Sequence, residues 1–490
     1  MATDPDDRRL EGEAGTHVSG EEELRELGYS QELKRSLSVI GTVALVVSDI
    51  TPVTSLLVIA PVVIATAGTG AFWVYLIAAV LAVSVALCMA ELGSIYPVAG
   101  GLYSIVTRVL GKEIGFLAML DYLGQAVFLP ASVALGFGTY FSALFPAVSP
   151  NIASFLVMVL ITVLAMLSIS GNAWLTGVFL TLELLLLAAL AIVGLANIEQ
   201  PVGALFNSIT VSPGGEMVAV SIGVIFAAVA TGLFSFNGYD SAINFSEETR
   251  GEAKSVGQSV IISALIGISF QVITLMTVIL AAPSLGRLIN SESPISYAFE
   301  SAIGPAANTI LTIGVLIAIF AANLAITLQF ARILYSTGRD RAWPAGLNST
   351  FTKVSGRFGS PWVAVLIVGG LAAVLSLFSS LVAVVTFTAV LIVVLYALIA
   401  ISALVSRLRR RDLARPFRMP LWPLPPALAL IGVGVALTQQ KVIDLLIVAA
   451  IFAVGAVYYA LFLRPRSATH WHAPGAPLTV EAPTHDSHDR

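Results

Sequence analysis

The sequence predicts an all-α membrane protein with about twelve transmembrane helices, and three observations predict it. Of the 490 residues 57% are hydrophobic and only 11% are charged, against roughly 25% charged in a soluble domain. The apolar residues gather into twelve stretches, near 36–66, 70–91, 113–142, 152–170, 174–196, 217–245, 255–281, 304–336, 361–379, 381–405, 421–438 and 443–463. Each matches the roughly 20 residues of helix that cross a bilayer core of about 30 Å. The basic residues then sort by side: with a cytoplasmic N-terminus, only Arg287 and Lys441 of the 25 Lys+Arg fall outside. That asymmetry sets orientation in a plasma (inner) membrane and places both termini in the cytoplasm.

Taken in order, residues 1–30 are polar and acid-rich, read as a disordered cytoplasmic tail with no cleavable signal peptide. The membrane domain follows over 31–464. Span one carries "VVSDITPVTSLL" (46–57), which puts an acid, a proline and hydroxyl residues in the middle of an apolar run. Proline removes a donor and clashes with the preceding turn inside a helix but is favoured at the first position of one. Asp49-Ile50-Thr51-Pro52 therefore reads as one helix ending and another starting. Span three carries Asp121 and Gln125 one turn apart, facing a shared cavity or bonding across helices. Span five carries Glu183, either a proton carrier or a neutral hydrogen-bonded group.

Span six is interrupted by "ATGLFSFNGYDSAINFSEE" (230–248), with glycines, an asparagine and an acid. Interruptions in spans one and six fall at corresponding positions of two five-helix halves, about 36–196 and 217–405. Paired broken helices of this kind point to an inverted-repeat transporter with its site near the membrane midplane. Span eight places Asn323 and Thr327 on one face, as oxygen donors for sodium or as span-to-span hydrogen bonds. The run "RLRRRDLARPFR" (407–418) reads as a topological anchor. Two extra helices follow over about 421–463, and a second disordered tail over 465–490.

Several classes drop out. The single cysteine, Cys88, cannot form a disulfide within one chain, and the five histidines, His17, His470, His472, His485 and His488, all fall in the expected tails. No catalytic residues, metal site or cofactor are expected. No phosphate-loop pattern points to nucleotides and nothing points to nucleic acid. A channel would need a filter or charged ring, and none is visible.

"AELGSIYPVAGGLYSIVTRVLGKEIGF" (90–116), "GLFSFNGYDSA" (232–242) and "ARILYSTGRDRAWP" (331–344) resemble the signatures of the amino acid-polyamine-organocation superfamily. "LGYSQELKRSLS" (27–38) with "LDYLGQA" (120–126) is similar to its amino acid/choline transporter branch. The resemblance implies a leucine-transporter-like fold: two inverted five-helix repeats, helices one and six discontinuous, and two C-terminal helices. It implies import of an amino acid or related amine by alternating access. A polyamine or choline-like transporter, an exchanger and a transporter-derived nutrient sensor are the alternatives.

On this reading the substrate site is Asp49, Ile50, Thr51, Val53, Thr54, Ser55, Gln125, Phe234, Phe236, Asn237 and Gly238. A carboxylate at membrane depth is costly and wants a cation, so Asp49 is a partner for a substrate ammonium or a cap for the second half of span one. The helix start at Val53-Thr54-Ser55 offers unpaired N–H groups to a substrate carboxylate. Relatives carry glycines here, whereas this chain has none between 42 and 67. The resemblance makes Phe234 an aromatic gate, with ordinary packing as the other reading. Asp240 is a gating or proton-linked acid or a cap. Asp121, Glu183, Asp240, Asn323 and Thr327 are the coupling candidates, for H+ first and Na+ second.

Overall fold

The structure, a computed structural model, describes residues 38–97, 101–167, 173–246, 249, 253–356 and 360–471. The expected tails lie outside the described residues except for 465–471. Helices dominate in chain order: α1 Val39–Ile50, α2 Pro52–Thr54, α3 Ala60–Ala67, α4 Ala71–Ile95, α5 Gly101–Leu110, α6 Lys112–Leu144, α7 Pro150–Met166 and α8 Ala173–Ala196. A short hairpin, β1 Ile209–Val211 and β2 Met217–Ala219, precedes α9 Ile222–Ser235, α10 Ser241–Asn244, α11 Ala253–Ala281, α12 Leu285–Ile289 and α13 Pro294–Arg339. The chain ends with α14 Ala345–Phe351, α15 Trp362–Phe378, α16 Leu381–Arg409, α17 Leu424–Thr438 and α18 Val442–Tyr458.

Among the described residues six helical stretches are long and apolar enough to cross a bilayer, including Val39–Ile95, Lys112–Leu144 and Leu381–Arg409, and shorter apolar helices lie between them. The chain is thus a predominantly helical, multi-pass membrane protein. Hydroxyl residues inside the helices return their protons to their own backbone, as Thr162 does to Met158 O at 2.7 Å and Ser402 to Leu398 O at 2.7 Å. That bond lets a polar side chain sit in an apolar layer without an unpaired donor. Small residues let helices approach closely: a Cβ on Gly369 of α15 would lie 2.1 Å from Thr162 Oγ1 of α7.

Three expected boundaries shift. The sixth apolar segment does not start as helix at 217: Met217–Ala219 is β2, paired antiparallel with β1, and the helix begins after the Ser221 cap. A short run of apolar residues serves strand or helix equally, and the cap decides where the helix begins. The eighth segment, expected from 304, is the second part of α13, whose backbone breaks at Gly304 with φ 77. The C-terminal tail, expected from 465, packs as far as Trp471. That indole is buried, donates Nε1–H to Lys112 O at 3.0 Å and meets Phe116 edge-on at 5.5 Å. A large aromatic with a satisfied N–H gains more from burial than from solvent.

The basic run 407–418 also has internal partners. Arg407 grips both oxygens of the buried Glu91 on α4, Arg415 Nε lies 3.3 Å from Glu91 Oε1, and Met419 N–H donates to Glu91 Oε2 at 2.8 Å. Arg410 reaches Tyr96 Oη at 3.2 Å and Arg108 O at 2.9 Å. The loop between α16 and α17 is therefore fastened to the end of α4.

Candidate functional site

Two backbone interruptions meet in the middle of the molecule. The first is at Thr51, which closes α1 and opens α2 in the left-handed region, with φ 46 and ψ 63. A non-glycine residue there is strained, and Pro52 directly after it cannot continue the first helix. Beyond α2 the backbone widens into a π turn over Ser55–Ile59 before α3. The second interruption runs from Phe236 to Asp240, between α9 and α10, and turns at Gly238 with φ 119. A Cβ on Gly238 would lie 2.8 Å from Ile50 Cα and N and 2.9 Å from Asp49 C. The two breaks are in backbone contact, and only glycine permits it.

Backbone groups freed inside a membrane protein need internal partners, and hydroxyl side chains supply them. Ser55 donates to Ile50 O at 3.0 Å, Tyr140 of α6 to Leu57 O at 3.0 Å, and Ser241 to Gly238 O at 2.7 Å. Ser235 donates to Gln271 Oε1 at 2.7 Å, which leaves the Tyr75 hydroxyl to donate to Ser235 at 2.7 Å. Tyr75 of α4, Tyr140 of α6 and Gln271 of α11 brace the segments around the breaks through these bonds.

Between them lies a cavity lined by Asp49, Ile50, Thr51, Thr54, Ser55, Phe234, Asn237, Gly238 and Asp240, together with Tyr122 of α6 and Ile326, Gln329 and Phe330 of α13. Solvent has about 30 Å³ within it. That is room for one or two waters, whereas small-molecule pockets hold hundreds of Å³. An amino acid enters only if the surrounding helices shift.

Among the described residues two carboxylates and no basic side chain face this space. Asp49 is half-buried and Asp240 is buried. With the Gln329 amide oriented nitrogen towards it, Asp49 accepts from that nitrogen at 2.9 Å on Oδ1 and 3.1 Å on Oδ2. Asp240 accepts the Tyr122 hydroxyl proton at 2.8 Å. Asn237 accepts from the Tyr396 hydroxyl of α16 at 3.0 Å. Asp49, Asp240 and Asn237 are thus each held by a side chain of a helix outside the breaks.

Of the residues singled out from the sequence, nine line this cavity. Val53 does not: it is wholly buried in the apolar core. Phe236 points the other way, its ring edge-on to Tyr75 at 5.3 Å. Gln125 is spent on Asp121, donating at 2.9 Å, and neither lines the cavity. The Ser55 hydroxyl is turned to its own backbone, while Thr54 Oγ1 has no partner among the described residues.

Asn323 donates to Pro130 O of α6 at 3.1 Å, and Thr327 donates to Asn323 O at 2.7 Å. Neither lines the cavity, and the buried Asn323 Oδ1 has no hydrogen-bond partner among the described residues. Glu183 is buried on α8 with Oε2 unpartnered among the described residues.

Sequence reasoning missed Gln329, Tyr122 and Tyr396. A weak signal existed for Gln329, an amide inside the apolar run of span eight, two residues before the "ARILYSTGRDRAWP" motif. Nothing local marks a tyrosine as the partner of an acid 118 residues away.

Comparison with known proteins adds the following. The model of the amino acid permease family matches residues 37–474. The chain is 23% identical over 476 residues to the branched-chain amino acid permease BcaP of Bacillus subtilis, covering 92% of this chain and 96% of that protein. It is 26% identical over 474 residues to the methylthioribose transporter of the same organism, covering 91% and 97%. It is also 25% identical over 393 residues to the low-affinity putrescine importer PlaP of Escherichia coli, covering 79% and 84%.

Proposed function

Because the chain belongs to the amino acid permease family, a family of amino acid-polyamine-organocation transporters and not of enzymes, we propose that it is a secondary active transporter importing an amine-bearing solute, an amino acid or a related amine. It works by alternating access across the plasma membrane, with both termini cytoplasmic. The fold on this reading has twelve membrane helices in two inverted repeats of five plus two. The α1/α2 and α9/α10 interruptions are the discontinuous first helices of the two repeats.

One observation carries the reading: the backbone contact between Gly238 and Ile50 closes a cavity around the Asp49 and Asp240 carboxylates, with no cation among the lining residues. A membrane acid without a basic partner is stabilised by a cation from outside, and a substrate ammonium fits both the charge and the depth. Asp49 takes that ammonium. Thr54 Oγ1 and the first-turn N–H groups of α2 face the remainder of the solute, Asn237 and the carbonyls beside Gly238 supply further hydrogen bonds, and Phe234 closes over it.

Two of the relatives' printed names, a branched-chain amino acid permease and a putrescine importer, support a solute with at least one amine, whereas the methylthioribose transporter is named for a solute that has none.

Proton coupling follows from the same acids. When the ammonium leaves, the two carboxylates are like charges lining one cavity, and a proton is the smallest cation that relieves them. Asp240, held by Tyr122, is the favoured proton site, and Glu183 is the second.

The experiment is uptake of labelled leucine and putrescine into proteoliposomes, with and without an inward proton gradient, competed by an unlabelled panel of amino acids, 4-aminobutyrate, choline and polyamines. Saturable accumulation that collapses with a protonophore is expected. Binding without flux would replace the transport reading with that of a sensor.

A further inference from the structure

The Gln329–Asp49 contact is the polar interaction in the cavity that neither the breaks nor the family motifs call for. Its nitrogen bonds both carboxylate oxygens, at 2.9 and 3.1 Å, within the range for charge-assisted N–H···O bonds. A carboxylate has about four lone-pair positions, and this amide takes one on each oxygen, the pair that a primary ammonium bridging the two oxygens would use. The Ser241 hydroxyl also stands beside Asp49, but it gives its proton to Gly238 O at 2.7 Å. Among the described residues no lysine, arginine or histidine lines the cavity. Gln329 is therefore the strong donor to Asp49.

We infer that Gln329 is a specificity-determining residue: its amide acts as a built-in competitor for the ammonium subsite and sets how tightly an amine is held. The inference rests on the transport reading above. Physically, an arriving ammonium does not meet a bare carboxylate. It exchanges places with an N–H donor already there, and the 30 Å³ left for solvent is too little for both in one plane. The charge of the ammonium exceeds the dipole of the amide, so the exchange favours substrate, but by less than direct pairing would.

The contact is also a polar tie between the end of α1 and α13, which pack against each other, so an amine that displaces the amide loosens one tie between them. This links recognition at Asp49 to conformational change.

The test is the KM and kcat for uptake of labelled leucine and putrescine by wild type, Gln329→Met and Gln329→Asn, each normalised to the amount of protein in the vesicle. Methionine keeps the length and flexibility of the side chain without a donor. Its KM for whichever of the two amines the wild type transports is expected to fall about tenfold, with kcat equal or lower because the bound amine leaves more slowly. Asparagine keeps an amide one carbon shorter, and its KM is expected to lie between the two.

A side chain that merely packs would lower the amount of protein or raise KM. An unchanged or raised KM in Gln329→Met overturns the inference, and if that variant does not insert, the same result in Gln329→Asn overturns it. Absence of saturable uptake by wild type is a different failure, that of the transport reading itself, and takes this inference with it.

Discussion

Replacing Asp49 with asparagine tests the centre of the proposal with the least disturbance to the fold. The substitution keeps the side chain's shape, and its remaining carbonyl oxygen still accepts from Gln329, whose nitrogen lies 2.9 Å from Oδ1. The join between α1 and α13 therefore survives and insertion is expected to be normal. What is lost is the charge. Two unit charges 4 Å apart attract by about 4 kcal/mol at an effective dielectric of 20, and removing one member of a buried, hydrogen-bonded charge pair costs about 2–5 kcal/mol in binding.

Asp49 is half-buried and Asp240 still supplies negative charge to the same cavity, so the lower part of that range applies. A loss of about 2–3 kcal/mol corresponds to a KM raised about 30- to 150-fold. The assay is concentration-dependent uptake of labelled leucine and putrescine in proteoliposomes, with protein quantified by immunoblot. If Asp49→Asn inserts at the wild-type level and KM stays within about twofold for the transported amine, the carboxylate does not hold the ammonium and is a cap on α2.

Other parts of the molecule make separate predictions. Gly238→Ala places a Cβ 2.8 Å from backbone atoms of Ile50 at a φ of 119; the strain of at least about 2 kcal/mol should lower the melting temperature of the purified protein, and an unchanged melting curve would show that the breaks do not touch. Glu91→Gln leaves Arg407 and Arg415 without their carboxylate at a site where Glu91 is buried. A loss of about 3 kcal/mol is expected, read as a lower melting temperature with KM unchanged in the protein that remains folded.

In the loop after α13, burial lifts the Asp340 carboxyl to about 6 from 3.8. The folded state then holds the proton more tightly than the unfolded chain, so stability falls as pH rises from about 4 to 6 and is level above. That slope is worth about 3 kcal/mol at most. In Asp340→Asn it should vanish, and the difference between wild-type and variant melting temperatures across that pH window measures it. A constant difference would show that Asp340 titrates alike in both states.

Much of the membrane architecture was legible because it depends on local sequence. Run length and the exclusion of charge mark helices that cross lipid, and the Thr51-Pro52 pair marks a place where a helix must restart whatever surrounds it. Boundaries governed by neighbours were less legible. Met217–Ala219 reads as the start of a span until its pairing with Ile209–Val211 is seen, and Trp471 looks like a residue of a tail until its indole meets Lys112 and Phe116. The basic run at 407–418 carries a charge bias visible in sequence, yet its grip on Glu91 spans 316 residues for Arg407.

The site divides the same way. Asp49, Gly238 and Asp240 stand out alone, since an acid or a glycine in the middle of an apolar run costs free energy that something must offset. Which partners offset it does not follow from the run itself. Gln125 and Asn323 look as suitable as Gln329, and Phe236 as suitable as Phe234. Only the rotation of each helix about its axis separates those facing the cavity from those bonded elsewhere.

By itself, then, the chain's order of residues determined that it lies in a membrane, where its helices must break, and which charges sit at that depth. Helix crossing decided the rest, bringing Tyr122 to Asp240 and Gln329 to Asp49. The physical reason is that backbone breaks arise from neighbours along the chain, whereas a hydrogen bond between helices depends on the packing of whole apolar faces, to which every residue of both helices contributes.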